Sequence, residues 1–226
     1  GGGITWDSTW ESEYREVHQK AAVLYRKQPR FQLITTGKIS QKKLLFEKQH
    51  LERLQKASRY FAFPFDQEVL RQKIDKECQV CDFSQDYRLR IILSKSGAIE
   101  NERQVLTPLS PSFCQAKLCL QEADLQQAFT YFKTTHRPHL TVGEQEIIYH
   151  TADGKLLETS IGNLVLKMDG KLYTPPSTLG ILPGIYRQHL LESRQAEEKI
   201  LTIEDLERAE VIYACNAVRG LYELKI

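Results

Sequence analysis

Two stretches decide which fold this sequence can adopt: KTTHR at residues 133–137 and ETSIGN at residues 158–163. They supply a lysine, Lys133, and further along a carboxylate, Glu158. A lysine can hold an aldehyde cofactor covalently and then act as a base, and a buried carboxylate can keep a pyridine nitrogen protonated. A lysine beside threonines is more often a solvated surface residue, but the pair favours a site for pyridoxal phosphate.

The composition is that of a folded chain whose partners are small molecules or proteins. The chain has 226 residues and a hydrophobic fraction of 41%, which is enough to build a core. Its 31 basic and 29 acidic side chains are interspersed, so no basic surface for nucleic acid is predicted. No apolar stretch approaches the roughly 18 residues that span a bilayer, and no export signal begins the chain. We therefore expect a cytoplasmic protein without membrane contact.

The five cysteines predict free thiols, since their number is odd and no export signal is present. Cys78 and Cys81 have the spacing of half a zinc site. No second such pair or HxxxH run completes a tetrahedral site, so we expect no metal. The chain begins Gly-Gly-Gly and its only methionine is Met168, which suggests a trimmed product or a piece of something longer.

Helix and strand signals alternate along the first half of the chain. Ser8 and Glu11 have the spacing of a capping box before a helical repeat that extends to Leu24. Residues 31–36 predict a strand, and a turn at Gly37-Lys38 would lead into a second strand that ends near Phe46. A helix follows around residues 51–61, and Asp66 is placed to cap the next one.

The second half of the chain contains two Asp-Gly pairs between apolar runs, at residues 153–154 and 169–170, which predict tight hairpins. The proline- and serine-rich residues 107–112 predict an interdomain linker. We thus expect an α+β protein with a first segment at residues 1–27, a small domain at residues 28–108 and a larger domain at residues 109–226.

Further motifs resemble those of the fold-type IV pyridoxal phosphate enzymes, also called class IV aminotransferases. HLERL at residues 50–54, PGIYR at residues 183–187 and NAVRG at residues 216–220 stand with the two opening stretches in the family's order. The resemblance extends from about Phe31 to Ile226. It implies the family's two-domain fold, pyridoxal 5′-phosphate as the cofactor, and a homodimer.

The resemblance also implies which residues bind the cofactor. Lys133 would be the covalent lysine, Arg53 a phosphate ligand, Glu158 the partner of the pyridine nitrogen and Asn163 its companion. Backbone amides would hold the phosphate at the starts of the two later motifs, at Ile185, Tyr186, Ala217 and Val218. Many family members carry threonine at the position of Tyr186, and transaminases often carry threonine or serine at that of Ala217. The phosphate contacts here would therefore be amides and Arg53.

Within the family, the Lys-Thr-Thr-x-Arg pattern and the Asn-Ala pair at residues 216–217 resemble the aminodeoxychorismate lyases. Residues 1–21 are similar to the closing strand and helix of chorismate-utilising synthases, so the chain resembles the end of a synthase and lyase fusion. The implied substrate is 4-amino-4-deoxychorismate, converted to 4-aminobenzoate for folate, with Arg90 and Arg137 as candidate carboxylate ligands. Arg88, on the same polar strand face as Arg90, is a further candidate.

Two other functions stay open from the sequence. A class IV transaminase of branched-chain or D-amino acids would share every cofactor contact. A non-catalytic domain retained for assembly with the synthase has no need of both Lys133 and Glu158, which argues against it.

The sequence generates one direct prediction for Lys133. Lys133→Ala should abolish turnover and leave the fold intact, because the variant has no side-chain amine to hold the cofactor or to move a proton. Turnover assays beside circular dichroism would check it. Full activity in a folded variant would contradict the proposed role.

Overall fold

The computed structural model describes residues 6, 8–25, 29–122 and 128–226. The chain divides into two compact units, Gly1–Arg30 and Phe31–Ile226. The second unit combines an antiparallel sheet and a mixed sheet with helices, which confirms the predicted α+β class. The domain boundaries expected at residues 27 and 108 remain predictions.

The first unit contains one helix, α1 (Trp10–Tyr25). The helix was predicted, but its capping residues were not the expected ones. Thr9 Oγ1 accepts from the Ser12 amide at 3.2 Å, whereas the Ser8 hydroxyl donates to Glu13 at 2.7 Å. The predicted box of Ser8 and Glu11 is therefore wrong by one residue, because the neighbouring Thr9 offers an equivalent acceptor.

A four-stranded antiparallel sheet begins the second unit, in the order β2-β1-β3-β4. Its strands run in chain order as β1 (Leu33–Ser40), β2 (Lys43–Leu44), β3 (Tyr87–Leu93) and β4 (Ile99–Val105). Two helices, α2 (Glu47–Phe61) and α3 (Gln67–Gln79), pack on one face around a core that includes Leu54 and Leu89. Asp66 caps α3 as predicted, by accepting from the amides of Glu68 and Val69.

The turn of the first hairpin is not at Gly37-Lys38, where it was predicted. β1 continues through both residues, and the chain reverses at Gln41 and Lys42, whose φ angles are 49° and 60°. Gly37 serves a different purpose, since a Cβ there would lie 2.5 Å from Nε2 of His50 on α2. The glycine lets the helix approach the strand closely.

A larger sheet of eight strands forms the rest of the unit. Six of its strands lie side by side in the order β10-β9-β8-β7-β6-β5, and a hairpin of β11 and β12 is attached through β8. The strands are β5 (Ala116–Leu120), β6 (Glu146–His150), β7 (Leu156–Thr159), β8 (Asn163–Met168), β9 (Lys171–Thr174), β10 (Ala196–Glu198), β11 (Val211–Asn216) and β12 (Gly220–Leu224). The helices are α4 (Ala128–Tyr131), α5 (Ile185–Glu192) and α6 (Ile203–Arg208). Both Asp-Gly hairpins are confirmed, as the β6–β7 and β8–β9 pairs.

The turn between β7 and β8 brings Glu158 and Asn163 directly opposite each other. Residues 160–162 form this turn, and Gly162 lies against β11. A Cβ on Gly162 would be 2.8 Å from the carbonyl oxygen of Cys215. Only a glycine fits this approach, because backbone atoms of a central strand cannot move aside cheaply.

Two properties of the described residues bear on function. None of their helices is long and apolar enough to cross a membrane. Within the same part of the chain, no group of three or more His, Cys, Asp or Glu side chains is arranged to hold a metal ion.

The contact at Gly162 predicts a stability difference between two glycine variants. Gly162→Ala should lower the free energy of unfolding by about 1–3 kcal/mol, the usual cost of overpacking a core site. Gly143→Ala is the matched control, because no atom lies within 4 Å of its added Cβ. Urea unfolding of both variants would measure the difference, and equal stabilities would show that the turn relaxes freely.

Candidate active site

The segment that contains Lys133 is positioned by a short ladder of backbone hydrogen bonds with the start of β1. The Ile34 amide donates to the Lys133 carbonyl at 3.0 Å, and the Thr135 amide donates to the Gln32 carbonyl at 2.9 Å. Side chains alternate along an extended segment, so Thr134 is buried while Lys133 and Thr135 line one cavity. The ladder thereby fixes the direction of the lysine.

The cavity has a volume of about 620 Å³ and lies among β1, β3, the β7–β8 turn, the start of α5 and the β11–β12 turn. Among the residues that the structure describes, its lining carries one carboxylate and six cations. The cations are Arg53, Arg88, Arg90, Lys133, Arg137 and Arg219, and the carboxylate is Glu158. Apolar side chains, among them Leu109, Phe113 and Leu140, complete the wall.

Glu158 is buried and held by two donors. Arg137 Nη2 lies 3.0 Å from its Oε1, and the Leu182 amide donates to the same oxygen at 3.3 Å. Burial raises the pKa of Glu158, and the charge of Arg137 opposes that rise. The ion pair therefore favours the carboxylate form, which a pyridinium partner requires.

Lys133 is set up to act as a base near neutral pH. Burial lowers its pKa to about 7, and the charges of Arg53 and Arg137 contribute to the change. An amine with this pKa is neutral in a large fraction of molecules at pH 7, so it can attack a carbonyl group or accept a proton.

The start of α5 and Arg53 form one end of the cavity. Arg53 Nη2 donates to the Pro183 carbonyl at 2.9 Å, and the helix begins after Gly184 with amides that have no helical acceptor. A Cβ on Gly184 would be 1.9 Å from Oδ1 of Asn163, whose Nδ2 donates to the Leu182 carbonyl at 2.8 Å. Asn163 thus shapes this loop.

Tyr186 is not among the residues that line the cavity. Its ring packs edge-on against Phe46, with 6.0 Å between centroids, and lies against Gly220. The ring is absent from the cavity wall, whereas the neighbouring Ile185 lines it. The phosphate contact expected from the Tyr186 amide remains a prediction.

The β11–β12 turn supplies Ala217 and Val218 to the cavity wall. The Val218 amide donates to Asn216 Oδ1 at 3.0 Å, and the Arg219 amide donates to the same atom at 2.9 Å. A phosphate contact from Val218 would therefore share its amide with Asn216. The contacts predicted for Ala217 and Val218 remain predictions.

The two candidate substrate arginines differ in their surroundings. Arg137 is committed to Glu158, as described above. Arg90 Nη1 lies 3.6 Å from Glu102 Oε2, and its buried Nε has no hydrogen-bond partner among the described residues. Arg88 Nη1 donates to Gln104 at 3.2 Å. Both β3 arginines face the cavity, so the alternation seen in the sequence correctly predicted their shared side.

His50 and Arg219 are two residues whose part in the site the sequence did not indicate. His50 Nδ1 lies 2.6 Å from the hydroxyl oxygen of Thr35, behind Arg53 and Lys133. Burial and the charges of those two residues keep its pKa well below the usual value. His50 and Arg219 each belong to a motif quoted above, but sequence spacing alone does not show what either side chain contacts.

The residues present fit pyridoxal phosphate. Arg53 and the free amides of α5 suit a dianionic phosphate, the buried carboxylate suits a pyridinium nitrogen, and Lys133 suits an aldehyde carbon. Gly184 has no Cβ, so the amide group of Asn163 packs directly against the backbone at the start of α5, where a Cβ would be 1.9 Å from its Oδ1.

Comparison with known proteins defines the class. Residues 32–225 match the amino-transferase class IV family, and the chain belongs to that family. The cofactor of this enzyme class is pyridoxal 5′-phosphate, and a hypothetical aminotransferase from Mycobacterium tuberculosis has a similar fold in a PLP-bound form. That structure is 20% identical with a TM-score of 0.70, and the match covers 90% of this chain and 82% of that one.

Two other solved structures carry different functional names. A proposed amino-acid aminotransferase from Mesorhizobium loti is 26% identical with a TM-score of 0.76, covering 86% of this chain and 99% of that one. A proposed 4-amino-4-deoxychorismate lyase from Haemophilus somnus 129PT is 24% identical with a TM-score of 0.67, covering 86% of this chain and 100% of that one. The fold is therefore shared by lyases and transaminases.

One relative was found by sequence, an uncharacterized protein from Haemophilus influenzae. It is 28% identical over 123 residues, which make up 54% of this chain and 61% of that protein. The match thus covers less than two thirds of the relative's length.

The ion pair of Arg137 and Glu158 predicts how their variants combine. Arg137→Gln should weaken pyridoxal phosphate binding by about tenfold, equivalent to about 1.4 kcal/mol, because Glu158 loses its buried partner. In a Glu158→Gln background the same change should cost nothing further. Absorbance titration of the apoprotein measures both values.

Arg137→Lys serves as the matched variant, since it keeps the charge and should retain most of the affinity. An undiminished loss from Arg137→Gln in the Glu158→Gln background would show that Arg137 contacts the cofactor directly.

Proposed function

We propose that the protein is a 4-amino-4-deoxychorismate lyase, which eliminates pyruvate from its substrate to leave 4-aminobenzoate for folate biosynthesis. The supporting observation is the charge of the cavity, where six cations face one carboxylate. A phosphate and a substrate with two carboxylates together carry enough negative charge to balance that excess. Arg90 remains a proposed carboxylate contact, whereas Arg137, the other candidate, is paired with Glu158.

The charge excess favours this substrate class for a physical reason. Like charges held in a partly buried cavity repel one another, and burial removes the water that would screen them. The pKa of Arg53 is lowered to about 10 by burial and by Arg137, which reflects this cost. A bound dianion offsets the repulsion, whereas a substrate with one carboxylate offsets less of it.

The residues of the site have separable tasks in the elimination. Bound pyridoxal phosphate supplies an electron sink joined to the substrate amine. Lys133 Nζ, neutral in part at pH 7, accepts the proton from the ring carbon that bears the amine. The resulting ammonium can return a proton to the departing enolpyruvyl oxygen, and the ring becomes aromatic as the carbon–oxygen bond breaks. Glu158, held by Arg137, would keep the nitrogen of a bound pyridine ring protonated.

A class IV transaminase acting on branched-chain or D-amino acids is the second candidate. The likeness to the Mesorhizobium loti aminotransferase, at a TM-score of 0.76, favours it. Both activities would use the same cofactor contacts, so the test must use the product.

The setting of the enzyme is also a proposal. We infer a cytoplasmic homodimer, fused to or associated with a chorismate-utilising synthase domain. The dimer rests on family resemblance, and the synthase partner rests on the resemblance of residues 1–21. A separate compact unit at Gly1–Arg30 accords with a segment that belongs to another domain.

A fluorescence assay for 4-aminobenzoate tests the lyase directly. Purified protein with pyridoxal phosphate is mixed with enzymatically generated aminodeoxychorismate, and we expect product well above the rate without enzyme. Lys133→Ala is the control for contaminating activity. No product from protein whose absorbance shows bound cofactor would contradict the lyase and redirect the search to amino-acid donors.

A further inference from the structure

Two arginines of the cavity, Arg88 and Arg219, have no acidic partner among the residues that the structure describes. Arg88 Nη1 donates to Gln104 Oε1 at 3.2 Å, and Arg219 Nη1 donates to the carbonyl oxygen of Thr107. Both partners are neutral, and both side chains line the cavity. Each guanidinium group therefore brings a full uncompensated charge to the wall.

The other four cations of the cavity already have an assignment. Arg137 is paired with Glu158 at 3.0 Å, and Arg90 lies 3.6 Å from Glu102. Arg53 contacts the loop before α5, where a phosphate is expected, and Lys133 is the covalent lysine. Arg88 and Arg219 are the cations left for a group that is neither the cofactor phosphate nor its aldehyde.

The two arginines come from separate elements and line the same cavity. Arg88 projects from β3, whereas Arg219 belongs to the β11–β12 turn. Burial lowers the pKa of Arg219, and the charge of Arg88 lowers it further. On the neighbouring strand β4, Glu102 lies opposite Arg90, and the neutral Gln104 lies opposite Arg88.

We propose that Arg88 and Arg219 form a binding site for the ether-linked carboxylate of the substrate, the one carried by the leaving enolpyruvyl group. Two guanidinium groups can each donate a pair of hydrogen bonds to one carboxylate, and its charge relieves their mutual repulsion. The ring carboxylate then lies with Arg90, two residues along the same strand. This inference rests on the proposed function and names the substrate as a ring dicarboxylate.

The surrounding wall suits the rest of such a ligand. Leu109 and Phe113 line the same cavity and follow Thr107, the residue that Arg219 holds by its carbonyl group. Phe113 offers an aromatic face or edge to an unsaturated ring. An aliphatic amino dicarboxylate would use the charges and leave this apolar wall without contact.

Binding of two unreactive ligands to the holoenzyme tests the site. The first ligand is 3-(carboxymethoxy)benzoate, which has a ring carboxylate and an ether-linked one. The second is 3-methoxybenzoate, which keeps the ring and the ether oxygen but lacks the second carboxylate. Affinity is read from the change in cofactor fluorescence. We expect the wild type to bind the dicarboxylate at least tenfold more tightly.

Arg88→Gln and Arg219→Gln should each weaken dicarboxylate binding about tenfold and leave the monocarboxylate affinity unchanged. Arg59→Gln, an exposed position in the last turn of α2, is the control and should alter neither affinity. Thermal unfolding of each holoenzyme shows whether the fold is kept, and Arg88→Lys and Arg219→Lys should restore part of the lost affinity.

Equal losses for both ligands, or no loss for either, would overturn the proposal. A wild type that fails to prefer the dicarboxylate would overturn it as well. The ligands are not turned over, so these results do not depend on the lyase assay. A missing 4-aminobenzoate product with intact dicarboxylate discrimination would refute the lyase and retain the site.

Discussion

The backbone ladder between residues 32–34 and residues 133–135 is the interaction on which the site depends. It joins the start of β1 to the segment that carries Lys133, through amide-to-carbonyl hydrogen bonds of 2.9 and 3.0 Å. Because residue alternation in an extended segment is strict, this register turns Lys133 toward the cavity and Thr134 into the core. A shift of one residue would bury the lysine on the wrong side.

A second constraint is electrostatic. The fold holds six cations around Glu158, and burial makes their repulsion costly. The same burial lowers the pKa of Lys133 to about 7, which is what a base working at neutral pH requires. A cavity with this charge favours anionic groups, such as the phosphate of pyridoxal phosphate. The repulsion among these cations lowers the stability of the fold, but it favours anion binding and gives Lys133 a reactive amine.

The sequence predicted local structure well where one residue controls it. The Asp66 cap and the two Asp-Gly hairpins were found, because each depends on contacts within a few residues. The first hairpin was misplaced because Gly37 looks like a turn residue. Gly37 instead allows close packing between β1 and α2, because His50 Nε2 lies 2.5 Å from the position that a Cβ would occupy.

The sequence by itself determined the α+β class, the family and its cofactor, since these follow from residue types at characteristic spacings. Only the tertiary structure decided what each charged group contacts. Arg137 meets Glu158, Arg90 meets Glu102, and Arg88 and Arg219 meet no acid among the described residues. The Arg137–Glu158 and Arg219–Thr107 contacts join residues 21 and 112 positions apart, and the spacing of residues along the sequence does not predict which side chains meet across such separations.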